Sequence, residues 1–116
     1  MNYFHKATEL YNSKDYKNAI EMYQKSPQSF ETKPVCLYNS AVCFIKLHEY
    51  IKAIPLLKAA IKLKTQSMYF FNLGYCYAMV KDYKKALIYF NMAWSLDATD
   101  KDCEKAINLI IKSFKK

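Results

Sequence analysis

His5, His48, Cys36, Cys43, Cys76 and Cys103 are the side chains of this sequence best suited to nucleophilic or metal chemistry. Their spacing assembles neither. The cysteines form no CxxC pair, and neither histidine stands at ligand or relay spacing from a cysteine or a carboxylate. The four thiols therefore read as reduced, buried packing residues, with Cys43 and Cys76 too far apart to join. The chain is expected to hold no metal or cofactor and not to be an enzyme. His5 is placed at the rim of its helix face, where its charge would tune binding with pH. Gly74 is the only glycine, which removes every glycine-rich phosphate loop, because such loops need several residues whose backbone approaches the phosphate closely.

Binding chemistry is better supplied. Of 116 residues, 53% are hydrophobic and 16% aromatic, with eleven Tyr and seven Phe, enough for a core and for more than a core. The net charge of +8 comes from lysine alone. Without the planar fork of arginine a nucleic-acid surface is disfavoured, so nucleic-acid binding stays a remote alternative. Lys52, Lys58, Lys62 and Lys64 read as a solvated outer face. The longest uncharged apolar stretch, Leu73 to Val80, falls far short of the roughly 20 residues that span a bilayer. The first residues, Met1 to Lys6, do not read as a signal peptide, and the expected location is cytoplasmic.

The elements that must position these side chains follow from an internal repeat. Asp15-Tyr16-Lys17-Asn18-Ala19-Ile20 returns as Glu49-Tyr50-Ile51-Lys52-Ala53-Ile54 and as Asp82-Tyr83-Lys84-Lys85-Ala86-Leu87, after 34 and then 33 residues. A small residue, Ala7, Ala41 or Gly74, lies twelve positions before each repeated alanine. One glycine and three prolines leave little turn chemistry for hairpins, so each unit is expected to be a helix pair. Small residues let the partner helix approach, and a large residue one turn away fills the space.

These residues resemble the tetratricopeptide-repeat family. Phe70, Leu73-Gly74 and Tyr77, then Ala86, Phe90 and Ala93, match its pattern best. Leu37, Ser40-Ala41, Phe44, Ala53, Leu57 and Ala60 form the second copy. Tyr3, Lys6-Ala7, Leu10, Ala19, Tyr23 and Ser26 form a first copy in which Lys6 departs from the usual leucine. Pro27 and Pro34 flank the first junction without occupying the family's closing position. The resemblance implies an all-α, right-handed superhelix of about seven helices, a single domain over 1–116 with repeats at 2–34, 35–67 and 68–100. A capping helix at 101–116 is expected to bury Cys103, Ala106, Ile107, Ile110 and Phe114, opening at Thr99 or Asp100 and ending in Lys112, Lys115 and Lys116. Pro55, inside the second helix of the middle repeat, predicts a kink.

The resemblance also implies that the first helix of each repeat lines a concave groove for a protein or peptide partner. Helical spacing then sends into it Phe4, Thr8 and Tyr11, then Tyr38, Asn39, Val42 and Ile45, then Phe71, Asn72, Tyr75 and Met79. Asn39 and Asn72 are equivalent, and such asparagines can hydrogen-bond an extended peptide backbone through both donor and acceptor. Relatives that clasp a C-terminal carboxylate carry basic residues and a further asparagine at places that here hold Phe4, Thr8, Met68 and Asn72, so that clamp is expected to be absent. The function expected is an adaptor or chaperone-like module that binds an apolar or extended segment. A self-assembly element filling the same groove with a second copy, a homo-oligomer, is the competing reading, as is a set of aromatics sealed in the core.

Overall fold

The computed structural model describes residues 2–26 and 32–112, and the backbone of 113 and 114. Pro27, Lys115, Lys116 and the side chain of Phe114 lie outside the described residues. Among the described residues seven helices follow one another: α1 (Tyr3–Asn12), α2 (Tyr16–Lys25), α3 (Lys33–Lys46), α4 (Tyr50–Leu63), α5 (Ser67–Met79), α6 (Tyr83–Leu96) and α7 (Lys101–Phe114). Each packs against its neighbours in sequence, and α3 also touches α5. The result is an all-α superhelix, 52 × 25 × 22 Å.

The repeated positions become buried rows. Ala7, Ala41 and Gly74, Ala19, Ala53 and Ala86, Tyr23, Leu57 and Phe90, and Ser26, Ala60 and Ala93 are all buried. Small faces large throughout. Ala7 shares a core cluster with Tyr23, and Ala41 shares one with Leu57 and Phe90. At Gly74 the fit is closest, since an added methyl would stand 2.8 Å from the Phe90 ring. Gly74→Ala gains roughly 1 kcal/mol in helix propensity but overpacks a buried ring, for a net destabilisation of about 1–2 kcal/mol. Pairing it with Phe90→Leu, the arrangement already present as Ala41 and Leu57, should recover most of that loss. Urea unfolding of both variants checks this.

The turn inside each repeat is built the same way three times. Lys14, His48 and Lys81 take φ of 65°, 61° and 67°. The amide of the following residue then donates back to Leu10, Phe44 or Tyr77, and that of the left-handed residue donates to Tyr11, Ile45 or Ala78. These paired bonds close the last turn of α1, α3 and α5. Asp15 and Asp82 next cap α2 and α6 through their carboxylates, whereas Glu49 makes no such cap on α4. Asp100 is the residue that opens α7, accepting from the amides of Asp102 and Cys103 at 3.0 and 3.2 Å, while Thr99 bonds Asp97 instead. Pro34 sits in the first turn of α3, where a missing amide hydrogen is tolerated. Helix α4 runs through Pro55 from Tyr50 to Leu63. Both Pro55 and Ile51, whose carbonyl loses its donor, are exposed, so water can replace the missing bond.

All four cysteines are unpaired and buried. Burial pushes the thiols of Cys43 and Cys103 up to about 11 and that of Cys76 to about 12; the Cys103 thiol also donates to the Phe90 carbonyl at 3.2 Å. The folded chain thus keeps protons that the unfolded chain releases above about pH 9. Stability from this source is complete below that pH and declines as pH rises toward the folded values. The urea midpoint should fall between pH 8.5 and about 10.5, and a disulfide reagent should find all four thiols silent until denaturant is added.

Candidate functional site: an aromatic groove on the inner helices

Helices α1, α3 and α5 line two adjoining hollows. One, of about 440 Å³, is walled by Tyr11, Tyr38, Val42, Ile45, Phe71, Asn72 and Tyr75 together with Lys46, His48 and Tyr50. The other, of about 430 Å³, is walled by Phe4, Thr8, Tyr11, Tyr38, Asn39 and Val42 together with Asn12 and Tyr23. Tyr11, Tyr38 and Val42 belong to both, so the two hollows lie side by side along the inner helices. Of the inward residues read from helical spacing, Met79 alone is on neither wall; it is 45% exposed, one turn beyond Tyr75.

Spacing on the inner helices could not find the contributions of the outer ones. Tyr23 of α2 and Tyr50 of α4 reach across to the groove, and His48 enters from the turn between α3 and α4. Tyr50 was visible in the sequence as the aromatic of the repeated hexapeptide, but the repeat reports packing and not which side a hydroxyl faces. His5, placed at the rim by the sequence, is on neither wall, and it does have a carboxylate partner: its Nε2 lies 3.2 Å from Glu9, one turn on. The histidine of the groove is His48, whose Nδ1 is 2.9 Å from the Tyr50 hydroxyl.

The polar groups of the groove are largely engaged with one another. The Asn72 amide donates to the Tyr38 hydroxyl at 3.2 Å and to the Met68 carbonyl at 2.9 Å. Both its hydrogens are used, which leaves its oxygen to accept from a bound backbone. The Thr8 hydroxyl donates to the Phe4 carbonyl at 3.0 Å and lies 3.3 Å from the Tyr23 hydroxyl. Burial pushes the Tyr23 phenol up, opposed by its polar neighbours Thr8 and Asn39. Burial does the same to Tyr38, reinforced by Tyr11 and Tyr69 and opposed by Asn72. Both phenols stay neutral donors at physiological pH.

The rings form pairs along the same surface. Phe4 meets Tyr23 edge-on at 5.6 Å, Tyr38 meets Tyr69 at 4.9 Å, and Tyr50 meets Tyr75 edge-on at 6.1 Å. Phe71 packs on Phe90 at 5.3 Å, so this side chain serves core and groove together. Tyr75 is freer, at 36% exposure. The aromatics are therefore neither all sealed nor all open. No described helix is long and apolar enough to cross a membrane, and no group of three or more potential metal ligands gathers among the described residues.

Helix pairs nested small against large, with a cap on the last pair and a groove along the first helices, define a tetratricopeptide-repeat domain. Solved structures share the fold over nearly the whole chain. The first TPR of Spaghetti (RPAP3), bound to the HSP90 peptide SRMEEVD, has a TM-score of 0.91 at 16% identity, covering 98% of this chain and 91% of that one. The second TPR domain of human RPAP3, in complex with the HSP70 peptide SGPTIEEVD, has 0.86 at 19%, covering 94% and 92%. The C-terminal TPR-containing domain of a putative FK506-binding protein of Plasmodium falciparum has 0.86 at 18%, covering 97% and 86%. Residues 2–60, just over half the chain, match the family described as anaphase-promoting complex, cyclosome, subunit 3, and the chain belongs to that family. No curated protein matches the sequence.

Proposed function

We propose that this domain is a non-catalytic adaptor that holds an extended, largely apolar segment of a partner protein along its inner groove. The observation that carries the reading is the row of Phe4, Tyr11, Tyr38, Phe71 and Tyr75 along the walls of the two adjoining hollows. Aromatic rings of this kind bury much area at little loss of rotamer freedom and are favoured anchors. Support also comes from the relatives, two of which were solved with chaperone peptides in place, and from a family named for a subunit of a larger complex. The four buried, unpaired thiols suit a reducing compartment such as the cytosol.

The groove differs from one made for an acidic C-terminus. Phe4, Thr8, Met68 and Asn72 stand where carboxylate-clasping relatives carry basic residues and an asparagine, and none of the four is charged. The peptide SRMEEVD should therefore bind no more tightly than about 100 μM.

Selection of random dodecamers displayed on phage against the full chain tests the proposal directly. Aliphatic and aromatic residues should be enriched, and Tyr75→Ala should weaken the selected peptides at least tenfold while the melting temperature moves by less than about 2 °C. No enrichment, or a Tyr75→Ala variant that melts early, would overturn the groove reading. Light scattering adds a second arm: a monomer leaves the groove waiting, whereas a concentration-dependent dimer that Tyr75→Ala breaks would give it to another copy of the chain.

A further inference from the structure

The groove is electrically lopsided. Among the described residues, Lys46 and His48 are the only cationic or titratable-basic groups on its walls, both stand in the hollow nearer α5, and no carboxylate lines either hollow. Lys46 forms no ion pair among the described residues, unlike Lys6, Lys25, Lys52, Lys85 and Lys101, each of which has an acidic partner. Beside these two stand the phenols of Tyr50 and Tyr75, the first held 2.9 Å from the His48 ring nitrogen. The Tyr50 and Tyr75 rings stand edge-on to each other at 6.1 Å. The left-handed turn at His48 sets the direction in which its side chain leaves the backbone, and the contact with the Tyr50 hydroxyl orients the ring.

We infer that this end of the groove is a subsite for a side-chain carboxylate, so that the segment bound is apolar along most of its length and carries an Asp or Glu at the end that lies over Lys46, His48, Tyr50 and Tyr75. The inference rests on the groove reading above and adds a polarity to it. A carboxylate accepts up to four hydrogen bonds, and the ammonium, the imidazole and a phenol are donors within one hollow. Charge complementarity favours it: the protein carries +8, and among the described residues the wall holds no carboxylate to repel an anion. Lys46, His48, Tyr50 and Tyr75 are not the positions used by carboxylate-clasping relatives, which here are Phe4, Thr8, Met68 and Asn72, although Asn72 walls the same hollow. It recognises an acidic side chain next to apolar ones, not a chain terminus.

The same dodecamer selection, with every peptide displayed away from its C-terminus and resynthesised as the amide, separates this inference from the reading beneath it. Apolar residues enriched together with an acid at one fixed end support both. Apolar residues enriched with no acidic preference overturn the subsite and leave the groove. No enrichment overturns both. In fluorescence anisotropy with a selected peptide, Glu→Gln or Asp→Asn should weaken binding to the native chain about tenfold or more. The same change should matter less than about twofold in a Lys46→Gln, His48→Asn double variant. Asparagine is chosen at 48 because it tolerates the left-handed backbone, and circular dichroism confirms that the variant is folded. An equal loss in both backgrounds would overturn the subsite.

Discussion

A chain that stops at Asp97, without α7, should lose about 3–5 kcal/mol of stability and bind hydrophobic dyes that the full chain ignores. Helix α7 contributes Cys103 and Ile110, both buried, and Ala106 and Ile107, half-buried, to the face of the third repeat. Cys103 completes a cluster with Phe70 and Ala93. Ile110 shares the main core with Leu73 and Phe90. Removing them turns an interior into a surface, and an array of this kind needs a terminal element with a polar outer side. Thermal melts and sedimentation of the shortened chain measure the effect. Ile110→Ala is the milder version, expected at 2–4 kcal/mol, and an unchanged melt in both would show that the third repeat closes without help.

Leu57→Ala should cost about 3–5 kcal/mol, a large share of the 5–15 kcal/mol that holds a domain of this size together. Leu57 is fully buried in the middle repeat, in the row shared with Tyr23 and Phe90. Its cluster contains Ala41 of the facing helix and Leu73, Tyr77 and Phe90 of the next repeat. The cavity left behind cannot collapse easily, because the helices on both sides are already in contact through alanine. Since each repeat leans on its neighbours, the loss should appear as a lower urea midpoint for the whole chain and not as local fraying. Ile51→Ala, in the same helix but 68% exposed, is the control and should stay within about 0.5 kcal/mol.

The fold was legible in the sequence because a packing rule repeated three times leaves a periodic trace. The Tyr of each hexapeptide starts an outer helix, at Tyr16, Tyr50 and Tyr83, and each small residue is buried where the spacing placed it. The groove was legible to the extent that it is made by one face of α1, α3 and α5. What escaped was made by groups that cross between elements. The hydroxyls of Tyr23 and Tyr50 reach the groove from helices whose pattern reports only burial, and His48 is delivered by a turn whose left-handed geometry no glycine announced. Met79 obeys the helical period and still misses the walls, because the period gives a direction and not the place where a hollow ends. Glu9 was open to view, four residues after His5, the spacing that brings side chains together on a helix. Pro55 was legible as a residue without an amide hydrogen, and helix α4 continues through it from Tyr50 to Leu63.

The three left-handed residues have a further effect on how this protein could be tuned. A side chain held at positive φ costs on the order of 1 kcal/mol relative to glycine, and Lys14, His48 and Lys81 each carry that burden. Glycine at 14 or 81 would relieve it, less the extra freedom glycine gives the denatured chain, and neither position is on the wall of the groove. Heat resistance could thus be raised at the two outer bends without altering the inner surface, while the same exchange at 48 would remove an imidazole from it. Of the three bends, the middle one is where sturdiness and the proposed recognition would compete for a single residue.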